Sequence, residues 1–119
     1  MKGLKLSSTK NNLKNMKSPK LKAIIVESIL VYCIDGASIC ELLLEIQRIM
    51  PLPYKALKKY LFYLINYEIL SYDGQRQVYV MEDGGYDLLD TINREKRKIT
   101  VNSEDIIITI EEGFYRQSV

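Results

Sequence analysis

The chain has 119 residues, of which 47% are hydrophobic and 27% are charged, a balance typical of a folded domain. It contains no histidine and only two cysteines, which excludes the common zinc sites, catalysis by histidine and a disulfide framework. The longest apolar run, residues 23–34, includes Glu27 and is too short to span a bilayer. We therefore expect a single cytoplasmic domain with no membrane contact.

Positive charge is concentrated at the beginning of the chain. Residues 1–22 carry seven lysines and no acid, residues 23–98 carry nine bases and eleven acids, and residues 99–119 carry one base and four acids. Residues 1–18 mix lysine with serine, asparagine and threonine and show no sustained periodicity, so we predict a flexible basic arm. Such an arm would attract a polyanion, and a merely solvated tail is the alternative.

Two helices are predicted directly after the arm. Leu21 and Ile25 begin an apolar pattern at helical spacing, which predicts a first helix over about 19–34. A second helix is expected from about Ser38, because Ser38 and Glu41 have the spacing of a capping box. This helix must end before the two prolines that follow it.

The third helix is predicted over about 53–67, because proline is favoured in a first helical turn. On a helical wheel, Leu61 and Leu64 lie within about 40° of Leu57, so these three side chains are expected to face the core. The opposite face is cationic and aromatic. It carries Lys55, Lys58, Lys59, Phe62 and Asn66.

A β-hairpin and a fourth helix follow the third helix. The β-prone residues 69–72 and 77–81 flank Asp73-Gly74, which is a strong short-range signal for a hairpin. The fourth helix is expected to begin near Asp83 and to fray within the charged residues 94–98.

The C-terminal extension, residues 99–119, contains the β-branched run Ile106–Ile110. This run favours a strand, although Asn102–Asp105 would also suit the start of a helix. Either structure needs an apolar cover, which the rest of the chain or a second copy could supply. We therefore treat the extension as a possible dimer contact.

The order of these elements, with three helices, a hairpin and another helix, is that of a winged helix. Over residues 20–95 the chain resembles small archaeal winged helix-turn-helix transcription regulators. The resemblance rests on Gly36-Ala37, Tyr54–Leu64, Ile69-Leu70, Tyr79–Gly84 and Leu88-Leu89. It implies an α+β, mostly α, winged helix-turn-helix domain over residues 19–98, with the third helix in the DNA major groove and the hairpin wing beside it.

Three features depart from the pattern of that family. Pro53 stands where the family usually has a capping serine, and Glu68 stands where a glycine usually closes the third helix. A left-handed backbone at Glu68 would cost about 1 kcal/mol, unless Asn66 shifts the end of the helix. The second helix and its turn also look about one helical turn longer, which would change the docking angle.

The expected function is sequence-specific or semi-specific binding of double-stranded DNA by a homodimer, without a cofactor or a small-molecule substrate. The protein would act as a transcription regulator or as a small chromatin-associated factor. The lysines of the third helix would neutralise phosphates, and the tip of the hairpin would contact the adjacent backbone or the minor groove. The predicted DNA-binding residues are Tyr54, Lys55, Lys58, Lys59, Phe62, Gln75, Arg76 and Gln77. A protein-interaction module on the same fold is the main alternative, and an RNA-binding factor is a weaker one.

Other candidate residues have simpler structural explanations. Cys33 and Cys40 are expected to be small buried side chains rather than a redox switch. Glu41 and Glu45 lie one helical turn apart but have no converging partners, so they are interpreted as a hydrated face. The sequence shows no nucleophile with a base and no metal-binding cluster, and we expect no enzymatic activity.

Overall fold

In the computed structural model, which describes residues 4–8, 20–98 and 106–110, the protein is an α+β domain with mostly helical content. The described part contains four helices and two small antiparallel sheets. The helices are α1 (Ala23–Tyr32), α2 (Ile39–Gln47), α3 (Tyr54–Asn66) and α4 (Asp83–Lys98). The strands are β1 (Leu4–Ser8), β2 (Lys20–Lys22), β3 (Leu70–Asp73), β4 (Val78–Met81) and β5 (Ile106–Ile110).

The helix boundaries follow the local signals in most places. The Ser38 hydroxyl accepts a hydrogen bond from the Glu41 backbone N–H, and the Glu41 carboxylate accepts one from the Ser38 N–H, which confirms the predicted capping box. The predicted start of the first helix near residue 19 is wrong, since α1 begins at Ala23. The preceding residues 20–22 pair instead with β5 as an edge strand.

One sheet joins three segments that are far apart in the sequence. Its strand order is β1-β5-β2, and Ile108 in the central strand lies opposite Leu6 on one side and Leu21 on the other. The expectation of a flexible arm is therefore wrong for Leu4–Ser8, which form an outer strand of this sheet. The other residues of the predicted arm lie outside the described ones.

The predicted strand Ile106–Ile110 is present as β5, and the side chains of Ile106, Ile107 and Ile108 are buried within the same chain. Ile106 and Ile108 are 2% and 0% exposed and belong to the core that α1, α2, α3 and α4 also form. The extension therefore contributes to the core of this domain. A second copy is not needed to cover this strand.

The fourth helix does not fray where its sequence becomes charged, but continues to Lys98. The Lys96 ammonium lies 2.9 and 3.0 Å from the two carboxylate oxygens of Glu27 on α1, and both side chains are partly buried. This ion pair holds the last turns of α4 against α1. No helix in the described residues is long and apolar enough to cross a membrane.

The end of α3 adopts the left-handed backbone that the resemblance to winged helix regulators implied at Glu68. Glu68 has a φ of 63°, so Asn66 does not shift the end of the helix to avoid the left-handed region. The Glu68 N–H donates to the Ile65 carbonyl and the Ile69 N–H donates to the Leu64 carbonyl. These two bonds form a Schellman motif, which turns the chain from α3 into β3.

Replacing Glu68 with glycine is expected to raise the free energy of unfolding by about 1 kcal/mol. Glycine adopts the left-handed backbone without the steric cost of a Cβ, and this gain exceeds the entropy that glycine adds to the unfolded chain. Urea unfolding followed by circular dichroism measures the change. Glu68→Ala is the control, because it removes the carboxylate but keeps the Cβ. An equal stabilisation by alanine would show that charge, rather than backbone strain, is responsible.

Candidate nucleic-acid interface

Helix α3 is fixed to the domain by its inner face. Leu57, Leu61 and Leu64 are at most 2% exposed, as the helical wheel predicted. Tyr60 is also buried, and its hydroxyl accepts a hydrogen bond of 2.8 Å from the Lys22 backbone N–H at the start of α1. Burial raises the pKa of the Tyr60 phenol above its usual value, although the bond from Lys22 lowers it. The outer face of α3 is thereby held in one orientation.

The three predicted lysines lie on that outer face. Lys55, Lys58 and Lys59 are exposed, and none of their ammonium groups forms an ion pair with any residue that the structure describes. The Lys58 ammonium lies 5.5 Å from the centre of the Tyr54 ring, within the range of a cation–π interaction. Tyr54 is half exposed at the first position of the helix. With respect to the described residues, the lysines can therefore approach an anion without first breaking a salt bridge.

Phe62 occupies the same surface one turn further along α3. Its side chain is 59% exposed, and its ring meets the ring of Tyr63 edge-on with centroids 5.4 Å apart. An aromatic side chain with this exposure contributes little to the core. It is available to an external partner that also meets the lysines.

The connection between α2 and α3 is longer than the three or four residues of a tight helix-turn-helix. It spans residues 48–53, in agreement with the predicted extra length. The Gln47 amide donates to the carbonyl of Leu52, whose side chain is buried, so this segment is anchored at both ends. Pro53 precedes the first residue of α3 without a side-chain cap, as its sequence implies.

The hairpin turn differs in detail from the expected Asp-Gly turn. Asp73 pairs with Val78, so four residues form the turn, and the residue with a left-handed backbone is Gln77, with a φ of 59°. The Asp73 carboxylate accepts hydrogen bonds from the backbone N–H groups of Gln75 and Arg76. The aspartate thus stabilises the turn through its side chain.

The side chains at the tip are exposed, but Arg76 does not point freely away from the hairpin. Its guanidinium lies 3.4 Å from the carbonyl oxygen of Asp35, in the loop after α1, and 3.8 Å from the Asp73 carboxylate. Gln75 and Gln77 are exposed beside it. No hydrogen bond, ion pair or ring contact joins these tip residues to the α3 lysines within the described residues.

The base of the hairpin is attached to the rest of the domain. Ala37, just before α2, exchanges two backbone hydrogen bonds of 3.0 and 2.7 Å with Tyr79 of β4, a pairing that the sequence analysis missed. The rings of Tyr79 and Tyr72 are in contact across the hairpin, with centroids 4.8 Å apart and planes tilted by 54°. Burial raises the pKa of the Tyr79 phenol, and electrostatic interactions with Tyr72, Tyr54 and Cys33 raise it further. Helix α3 itself packs against β3 of the hairpin.

An acidic groove follows the lysine face at the end of α3, and sequence reasoning did not identify it. Its volume is about 600 Å³. The groove is lined by Ile65, Glu68, Leu70, Ser71, Tyr72, Glu82, Asp83 and Gly84. Its three carboxylates would repel a phosphate backbone, so an anionic partner is not expected to bind over this groove.

The two cysteines have different environments. Cys33 is buried, and desolvation raises the pKa of its thiol to about 12, so it remains protonated at neutral pH. Cys40 is exposed on α2, which corrects the expectation that both cysteines are buried. Within the described ranges, no cluster of three or more Cys, Asp or Glu side chains is arranged to hold a metal ion.

Comparison with protein-family models and with curated proteins finds no match for this chain. The resemblance to archaeal regulators therefore remains a prediction from the sequence. The geometry and charge of α3 and the hairpin are the evidence from which a function can be inferred.

Proposed function

We propose that the protein is a winged helix-turn-helix transcription regulator that binds double-stranded DNA. In this proposal α3 enters the major groove and the β3–β4 hairpin contacts the adjacent backbone. The observation that carries it is a set of three exposed lysines, Lys55, Lys58 and Lys59, on the outer face of a helix whose inner face is buried. None of the three forms an ion pair with a residue in the part of the chain that the structure describes.

The electrostatic support for DNA binding comes from the surface of α3 and not from the net charge of the domain. Over residues 23–98 the acids outnumber the bases by two, so a general attraction between this part of the chain and DNA is not expected. The α3 lysines nevertheless form a positive surface at one helix, while several other cations are paired with acids, as in the contact between Lys96 and Glu27. A local cluster of this kind binds phosphates, and the release of counterions makes the binding depend on salt.

The hairpin contributes a second contact in this proposal. Arg76 is held by Asp35 and Asp73, but its side chain is still 61% exposed. Both contacts are weak because one is a long hydrogen bond and the other is a solvent-exposed ion pair. Exchange of these contacts for a DNA phosphate therefore costs little, and the guanidinium offers a bidentate donor to that phosphate.

The test is the binding of mixed-sequence duplex DNA, measured by fluorescence anisotropy over a range of salt concentrations. Replacing Lys55, Lys58 and Lys59 with alanine is expected to weaken binding about tenfold near physiological salt. It should also lower the log–log salt slope by about 2 to 3, because each phosphate contact contributes roughly 0.9. The effect should be similar for duplexes of different sequence.

Two other variants remove the same number of charges elsewhere. Arg94, Arg97 and Lys98 on α4 form the control set, and their replacement should change the slope little. Lys10, Lys14 and Lys17 test the arm by substitution in the full chain, since truncation near Pro19 would also delete β1. Loss of binding only in the arm variant would contradict the proposal and favour the protein-interaction alternative for the folded domain.

A further inference from the structure

The exposed lysines of α3 share their face with an exposed aromatic side chain, Phe62. Lys55, Lys58, Lys59 and Phe62 are spaced i, i+3, i+4 and i+7, so the four side chains share one face of the helix. Phe62 is the most exposed aromatic side chain in the described part of the chain. Its edge-on contact with Tyr63 restricts the ring without burying it.

This face carries two kinds of side chain, lysines and a phenylalanine, and each kind suits a different group on DNA. A lysine ammonium is a compact charge that neutralises phosphates and carries little information about base sequence. A phenylalanine ring cannot contact a phosphate favourably, because it would remove water from the anion without donating a hydrogen bond. The ring fits an apolar group that lies between the phosphate backbones.

The major groove offers one such group. The C5-methyl of thymine is apolar, whereas the other groups by which the groove distinguishes the bases are hydrogen-bond donors and acceptors. Around the helix axis Phe62 lies between Lys58 on one side and Lys59 on the other, at 100° per residue. A helix whose flanking lysines contact the two backbones therefore directs this ring towards the base edges. Phe62 is the most exposed apolar side chain of α3, and it can make an apolar contact there.

We infer that Phe62 is a specificity-determining residue that packs against the C5-methyl group of thymine, and that the protein therefore prefers A·T base pairs at this position of the groove. This inference rests on the proposed function, because it requires α3 to lie in the major groove. It adds the class of base pair that the helix selects. The three neighbouring lysines supply the charge complementarity that makes duplex DNA the partner of this face.

The test compares alternating dA-dT and dA-dU duplexes of equal length in the anisotropy assay. The two duplexes have the same charge and the same base pairing, and they differ only in the methyl group. The unmodified protein is expected to bind the dA-dT duplex about fourfold more tightly, the ratio that burial of one methyl group provides. Phe62→Ala should bind both duplexes equally and with an unchanged salt slope.

Two variants serve as controls. Phe62→Leu keeps an apolar side chain and should retain part of the preference for thymine. Tyr86→Ala truncates a half-exposed aromatic residue on α4 and should leave both the affinity and the preference unchanged. Thermal unfolding of each variant verifies that the domain remains folded.

The outcomes separate this inference from the proposed function. Equal affinity of the unmodified protein for the two duplexes, with the salt dependence still controlled by the α3 lysines, would overturn the role of Phe62 and leave DNA binding intact. A preference for thymine that survives in Phe62→Ala would also overturn it. Salt-independent or absent binding of both duplexes would overturn the inference and the proposed function together.

Discussion

Replacing Ile108 with alanine is expected to lower the free energy of unfolding by about 4 kcal/mol. Ile108 is fully buried in the central strand of the β1-β5-β2 sheet, opposite Leu6 and Leu21. Truncation to alanine removes three carbon atoms from a close-packed core and leaves a cavity that the two flanking strands cannot fill. Urea unfolding followed by circular dichroism measures the loss.

The same unfolding experiment tests whether the apolar side chains of β5 are buried within one chain or against a second copy. If its apolar side chains are buried within one chain, the unfolding midpoint is independent of protein concentration before and after the substitution. Ile34→Ala is the matched control, because Ile34 is 42% exposed and its truncation should cost less than about 1 kcal/mol. A variant that stays folded but changes from a dimer to a monomer in sedimentation would show that β5 is a subunit contact.

The elements that were predicted correctly depend on nearby residues. The capping box at Ser38 and Glu41 is such a signal, and the Asp73-Gly74 hairpin signal is another. In α3, the periodicity of the leucines identified the buried face and therefore the exposed lysines as well. These features need only a short stretch of chain and its interaction with water, so the sequence is sufficient to predict them.

The three-stranded sheet was harder to predict because its strands are distant in the sequence. Residues 4–8 alternate leucine with polar residues, which is a strand pattern, but it is short and lies in a lysine-rich context. Lys20–Lys22 is shorter still, and the apolar periodicity of the following residues led to its assignment to the first helix. Each strand is specified by its pairing with β5, and pairing across such a distance leaves little local signal.

In the candidate site, too, local features could be predicted from the sequence, whereas contacts between distant residues could not. Exposure of Lys55 and its neighbours follows from the helical wheel, whereas the position of Arg76 depends on the carbonyl of Asp35, 41 residues earlier in the chain. The acidic groove likewise combines residues from α3, the hairpin and α4. A single element indicates which side chains are exposed, but only the packed domain shows which of them meet.

Replacing Gly85 with alanine is expected to lower the free energy of unfolding by about 1 to 2 kcal/mol, although alanine is the better helix former. Gly85 is buried in the first turn of α4, where the helix crosses the base of the hairpin. A Cβ at this position would lie 2.8 Å from the Ile69 carbonyl oxygen and in steric conflict with the Met81 side chain. Met81 can adopt another rotamer, but the Ile69 backbone is fixed by its hydrogen bond to Glu82.

The sign of this effect distinguishes steric packing from helix propensity. Intrinsic propensity alone predicts a gain of about 1 kcal/mol for Gly85→Ala, whereas overpacking predicts a loss of roughly 1 to 3 kcal/mol. Gly74→Ala is the control, because a Cβ there would meet only the Tyr72 ring at an ordinary contact distance of 3.9 Å. Stabilisation by Gly85→Ala in urea unfolding would contradict the close approach of α4 to the hairpin.

The approach of α4 also sets the position of the hairpin beside α3. Under the proposed function, a destabilised Gly85→Ala variant should therefore lose duplex binding at lower temperatures than the unmodified protein does.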